Sequence, residues 1–145
     1  MPVVHKSALV AHSASEMFEL ANDFESYPQF LPWCHSTRLI SREGEYLCAE
    51  LEVARMGVRQ KFSTRNRLYP YERIVIELQE GPFKRLSGEW RFTTLREDAC
   101  KVELELDFSF SGKLINKAFG AVFSQIASTL VDSFCKRADE VHSGK

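Results

Sequence analysis

Apolar and polar positions follow two different periods along this chain. Through the middle they alternate with a period of two, the signature of half-buried strands. Near both ends they recur at three and four residues, the signature of helices packed on one side. Residues 3–11 read as a strand. Ser13-Ala-Ser-Glu16 fits a capping box, with Met17, Leu20, Ala21 and Phe24 following on one helical face and Phe18 widening it. Tyr27-Pro-Gln-Phe-Leu-Pro-Trp-Cys34 breaks the pattern, because two prolines in five residues leave room for no more than a short helical turn. Strands are then predicted over 35–42, 45–55, 58–69, 73–80, 84–95 and 101–110. They are separated at Glu43-Gly44, Met56-Gly57, Pro70, Gly81-Pro82 and Arg96-Glu-Asp98. The last strand alternates cleanly: Val102, Leu104, Leu106, Phe108 and Phe110 against Lys101, Glu103, Glu105, Asp107 and Ser109.

Ser111-Gly112 ends the alternation. From 113 to 141, Ile115, Ala118, Phe119, Val122, Ile126, Leu130, Phe134, Ala138 and Val141 recur at helical spacing. Roughly 29 residues at 1.5 Å each make a rod of about 40 Å. The connections between strands are too short for crossover helices, so the sheet is an antiparallel meander. The apolar side of the long helix needs an apolar partner, and the inner face of a twisted sheet is the surface large enough. The expected class is α+β: a curved antiparallel sheet of about seven strands around a long C-terminal helix. One or two short helices follow the first strand, with no repeat and no second domain across 1–145.

Composition narrows the function more than the fold. Nineteen Lys+Arg against twenty Asp+Glu leave a formal charge of −1, which excludes a polycationic nucleic-acid packer and an acidic tail. Cys34, Cys48, Cys100 and Cys135 form no C-x-x-C pair and have no His at zinc-finger spacing, so they read as reduced, mostly buried thiols. The N-terminus lacks the pattern of a signal peptide, and no uninterrupted apolar run reaches the roughly 18 residues of a membrane span. A cytoplasmic protein is expected, able to visit a membrane surface from the inside.

Eleven Phe residues are the unusual feature. Phe62, Trp90, Phe92, Phe108, Phe110, Phe119 and Phe123 either fill the core or line a cavity where they meet Ala49, Thr64, Gly88 and Ala118. Such cavities, of about 300–1,000 Å³, are the usual small-molecule sites. Catalytic signals are missing. His5, His12, His35 and His142 accompany no nucleophile motif, and there is no phosphate-cradling Gly loop or H-E-x-x-H. Glu50, Glu52, Glu103, Glu105 and Asp107 fall on outer strand faces, where solvent is expected to keep them ordinary. No metal ligand set and no required cofactor is expected. Arg55, Arg59, Lys61, Arg65, Arg67 and Arg73 face only Glu72 in the same stretch, and Arg59, Lys61, Arg65 and Arg67 share one strand face. That stripe either meets phosphates on RNA or lipid headgroups, or pairs across strands with Glu50, Glu52 and Glu77. No RNA-recognition motif accompanies it, so sequence-specific nucleic-acid binding is not expected.

Tyr27-Pro-Gln-Phe-Leu-Pro-Trp-Cys34, Gly81-Pro-Phe83, Trp90-Arg-Phe92 with Cys100, Phe108-Ser-Phe110, and Phe119-Gly-Ala-Val-Phe123 with Arg137-Ala138 occur in this order. Together they resemble the family of mitochondrial coenzyme Q-binding proteins and bacterial ribosome association toxins. That family belongs to the START-like, helix-grip superfamily of polyketide cyclases and lipid transporters. The resemblance implies a single START-like domain and a non-enzymatic protein that binds a hydrophobic ligand. That ligand would be an isoprenoid quinone such as ubiquinone, or a lipid, held between sheet and helix in support of respiration. Under this reading Phe62, Trp90, Phe92, Leu106, Phe108 and Phe110 would form one wall, and Val122, Phe123 and Ile126 the other. Phe30, Leu31 and Trp33 would form a mouth or lid. The alternative implied by the same resemblance is a toxin that binds the large ribosomal subunit through Arg59, Lys61, Arg65 and Arg67 and blocks subunit association. A cyclase-like enzyme would need polar groups converging inward, and only Gln60 and Thr64 are candidates.

Overall fold

The computed structural model describes residues 3–55, 57–81, 83–110 and 113–142, with no side-chain description for 113–117 and 142. Met56, Pro82 and Ser111-Gly112, expected at turns, lie outside the described residues, as do the side chains of Ile115, Lys117 and His142. The order is β1 (Val3–Val10), α1 (Ala14–Asn22), a 3-10 turn (Phe24–Ser26), α2 (Tyr27–Phe30), β2 (Cys34–Glu43), β3 (Tyr46–Arg55), β4 (Val58–Tyr69), β5 (Arg73–Glu80), β6 (Phe83–Arg96), β7 (Ala99–Phe110) and α3 (Lys113–His142). All seven strands form one antiparallel sheet in the order β1-β7-β6-β5-β4-β3-β2.

That order places the site. Strands β2 to β7 are a meander, and β1 returns to pair with β7, so the chain's first two strands are the sheet's two edges. The segment between them, α1 to α2, must therefore travel from one edge to the other. Helix α3 follows β7 and lays its apolar side against the inner face. Edge strand β2 is mostly exposed and carries two register shifts, at Cys34/Ser36 and Leu39/Ser41, which discourage pairing with another sheet.

Local chemistry explains the helices. Ser13 accepts from the Glu16 N–H while Glu16 accepts from the Ser13 N–H, the reciprocal cap that its sequence promised. α1 ends at Asn22, so Phe24 belongs to the following 3-10 turn rather than to the helix, although it is buried as its spacing required. Pro28 sits in the first turn of α2, where a missing N–H costs nothing. On α3 the buried side is Phe119, Val122, Phe123, Ile126, Ala127, Val131, Phe134 and Ala138. Ala118 and Val141, expected on that side, are exposed, because the buried stripe drifts around a long straight helix. Each buried Phe contributes about 1.5–3 kcal/mol relative to exposure. Ala118–Val141 is long and apolar enough to cross a membrane by length and composition alone. In this fold its apolar side faces the sheet and the short helices.

The four thiols are free, and three are buried. Burial pushes Cys34 and Cys135 up to about 11, and raises Cys100 as well, so these sulfurs stay protonated and weakly nucleophilic.

Candidate functional site

Packing between sheet, short helices and α3 leaves a gap among the described residues. A cavity opens there, with about 640 Å³ of empty space including its solvent-facing part. The sheet supplies Leu51, Phe62, Thr64, Asn66, Ile74, Ile76, Leu86, Trp90 and Leu106. Helix α1 and the segment after it supply Ala21, Phe24, Tyr27 and Trp33, and α3 supplies Phe123, Ile126, Leu130 and Phe134. Aromatic rings stand edge to face around it: Phe134 meets Trp90 at 5.1 Å and Tyr27 at 5.3 Å between centroids, and Phe62 meets Phe123 at 5.9 Å.

Of the residues expected to line a cavity, Trp33, Phe62, Trp90, Leu106, Phe123 and Ile126 are brought together on it. Phe30, Leu31, Phe92, Phe108, Phe110 and Val122 are not on its surface. Phe108 and Phe110 join Phe83, Phe119 and Phe123 in a solid aromatic cluster at one end of the sheet. Phe92 packs beside Trp90 and against Phe18 of α1 at the other end. Val122 and Leu31 are buried in the core. Phe30 packs on Tyr27 and Phe134, with the Arg137 guanidinium over its ring. Period-two reading finds the inner face but cannot say where along it the packing fails, so it assigns core and cavity alike.

Sequence reasoning passed over Asn66, Tyr27, Phe24 and Phe134. Asn66 continues the inward row Phe62, Thr64, and that alternation was the available signal. Gln60, expected inward, does not line the cavity. Tyr27 is buried and donates its hydroxyl to the Ala21 carbonyl, and burial above all raises its pKa out of any useful range. Thr64 and Asn66 are the remaining polar lining residues. None of the lining residues is a His, Cys, carboxylate or cation.

A second, more polar hollow adjoins the first and shares Trp33 and Ile126 with it. Its other walls are Pro32, Arg55, Gln125, Thr129 and Ser133. Trp33 therefore stands between cavity and hollow.

The outer basic face is largely tied down. Arg59 bonds Glu52, Arg67 lies 3.1 Å from Glu45, and the Arg65 guanidinium rests 3.9 Å above the centre of the Tyr46 ring. Lys61 has no ion pair among the described residues. Glu52 corrects the expectation of a solvated carboxylate: it is 8% exposed. The hydrogen bond from Arg59 leads in pulling its pKa below the usual range against the burial that raises it, and Ser36 adds a second hydrogen bond at 3.0 Å. Glu103 is also lowered. Burial raises it, and His5, Lys101 and Arg91 together more than offset that.

Comparison with known proteins agrees with this architecture. The family described as polyketide cyclase / dehydrase and lipid transport matches residues 10–135. The persistence and stress-resistance toxin PasT of Escherichia coli O6:H1 is 44% identical over 145 residues, covering all of this chain and 92% of that protein. The ribosome association toxin RatA of Escherichia coli K12 is 43% identical with the same coverage. A mitochondrial coenzyme Q-binding protein homologue of Xenopus laevis is 24% identical over 94% of this chain and 58% of its own length. The Zhui aromatase/cyclase from a Streptomyces species shares the fold, with a TM-score of 0.85 at 19% identity over 99% of this chain and 96% of that one. With relatives above 40% identity that are covered over 92% of their own length, the chain belongs to the ribosome association toxin family, within the polyketide cyclase / dehydrase and lipid transport family.

Proposed function

We propose that this protein binds a hydrophobic ligand without transforming it, in the cavity between sheet and α3. The class of ligand that fits best is an isoprenoid quinone such as ubiquinone, in its oxidised or its reduced, hydroquinone form. The observation that carries the reading is the lining: aromatic and aliphatic side chains with two polar groups, Thr64 and Asn66, whose side chains make no hydrogen bond among the described residues. An apolar wall with few polar points is what a molecule with a long apolar tail and a small polar head requires. The name of the Xenopus relative supports the quinone class. Binding rather than catalysis is supported by a lining with no general base and no nucleophile paired with one. Phe92, Phe108, Phe110 and Val122, which do not line the cavity, would act by holding the lining residues in place.

The test is organic extraction of protein purified from a quinone-producing host, read by mass spectrometry beside an unrelated control protein. Near-stoichiometric quinone is expected. Trp90→Ala should fold and retain several-fold less, since it removes the largest ring on the sheet side. An empty wild-type protein that takes up neither added quinone nor its quinol would sink the reading.

Ribosome association is the second reading, supported by the full-length likeness to proteins named for it. Its contacts would be the outer face around Lys61, with Arg59, Arg65 and Arg67 partly engaged by their own neighbours. Cosedimentation with large subunits that weakens steeply with salt, and is lost in Lys61→Glu, is the expected result. Salt-independent or absent cosedimentation would reject that surface. The two readings use opposite faces of one sheet and are compatible.

A further inference from the structure

Buried polar atoms without partners are rare in folded proteins, because each loses its hydration and gains nothing for it. Asn66 is such a case, and it lies on the cavity. The residue is 4% exposed, and its Oδ1 is fully buried with no hydrogen-bond partner among the described residues. Its neighbours across the sheet cannot help: Leu47 stands opposite on β3 and Ile76 on β5. Tyr27, the one aromatic hydroxyl on the lining, is already committed to Ala21. Thr64, two residues before Asn66 on the same inner face, is equally buried, and its hydroxyl makes no hydrogen bond among the described residues. The cavity thus has a polar pole in an apolar wall, and that pole presents an acceptor lacking a donor.

We propose that Asn66 reads the polar head of the ligand, and that the head it fits carries a hydroxyl. The class is a phenol or hydroquinone on an apolar tail, in preference to a fully oxidised quinone. This rests on the hydrophobic-ligand reading above and narrows it. A quinone ring offers only acceptor oxygens: it can take the Asn66 Nδ2 hydrogens but leaves Oδ1 without a donor. A ring hydroxyl donates to Oδ1 and completes it. The Thr64 hydroxyl, free to rotate, then donates to the oxygen of that same group. The head sits against mid-β4, and the tail runs past Phe62 towards Trp33 and Ile126, where the second hollow begins.

A matched pair of probes tests this without assuming the natural ligand: 4-nonylphenol and its methyl ether, 4-nonylanisole. They differ at one position, where the ether carries a methyl group in place of the phenol's donor hydrogen. Both tryptophans of the chain, Trp33 and Trp90, line the cavity, so intrinsic fluorescence reports occupancy directly. In extracted, full-length protein the phenol should bind about 3- to 10-fold more tightly than the ether. Asn66→Leu, close in shape, should erase that ratio while keeping the ether's affinity. It should also raise Tm by about 2–4 °C, since it removes a buried polar group without a partner. Equal binding of the two probes to the wild type, or a ratio that survives Asn66→Leu, overturns the role of Asn66 and leaves the cavity reading intact. Failure of both probes to bind overturns the two together. The wild-type comparison alone decides the donor question if the variant does not fold.

Discussion

Gly88 occupies a point on β6 that no larger residue can share. A Cβ built there would lie 2.0 Å from the carbonyl oxygen of Glu105 and 2.9 Å from a methyl of Leu106. The carbonyl belongs to the β7 backbone, which is paired on both sides, with β6 and β1, and has no easy way to retreat. Gly88→Ala is therefore expected to cost more than about 2 kcal/mol, at the upper end of overpacking effects. A urea titration showing wild-type stability would mean that β7 can shift. Glu52 gives a second prediction at this scale. Its folded pKa lies below its unfolded value, so the stability it contributes is complete above the ordinary carboxylate range near 4.3. That contribution is lost as pH falls through the lower, folded pKa. Arg59→Ala should be less stable than wild type at neutral pH, and the gap should narrow as pH drops below about 4. Urea midpoints measured from pH 3 to 7 check this; a gap independent of pH would assign the effect to lost packing of the arginine instead. Nothing in the spacing of Glu52 announces its burial, because it depends on Arg59 and Ser36 arriving from both neighbouring strands.

At the scale of elements, the alternation was legible because it is local. A period of two is dictated by the pleat, and the half-solvated sheet writes it plainly in β6 and β7. β5 begins and ends at Arg73 and Glu80, as its composition and flanking turns indicated. The capping box of α1 was equally readable, since its two partners are three residues apart. What local patterns miss is set by distant pairing. The drift that exposes Ala118 and Val141 depends on how α3 crosses the sheet, and no window of α3 contains the sheet. The same holds for the cavity. Phe108 and Leu106 are adjacent on one inner row, yet Phe108 meets the ring of Phe123 and is sealed in, whereas Leu106 borders empty space. Chain alternation assigns both to the inside and has no term for what stands opposite. His12 and Asp139 make the point for polar contacts: 127 residues apart, they meet at 2.7 Å and join the start of α1 to the end of α3.

At the scale of the molecule, three separate pieces of chain surround the cavity: the sheet, the α1–α2 segment and α3. Each contributes large apolar groups that would otherwise be packed against one another. Empty space there forfeits dispersion contacts that a close-packed core would have. A ligand filling it restores those contacts and touches all three pieces at once, so it stabilises the folded state by mass action. At about a hundredfold excess over Kd the gain is about 2.7 kcal/mol. For a domain of this size that corresponds to a rise in Tm of about 5–10 °C. Thermal unfolding of extracted protein, alone and with added quinol or alkylphenol, measures it. Ile76→Phe, which adds bulk to the cavity wall, should raise the Tm of the extracted protein and blunt the ligand's further shift, because the same space cannot be filled twice. A ligand shift that survives Ile76→Phe in full would place the bound molecule elsewhere on the protein. With the ligand in place, tryptophan fluorescence should change together with Tm, since Trp33 and Trp90 stand on the walls that the ligand joins. A shift in Tm with unchanged fluorescence would likewise move the binding site outside this cavity.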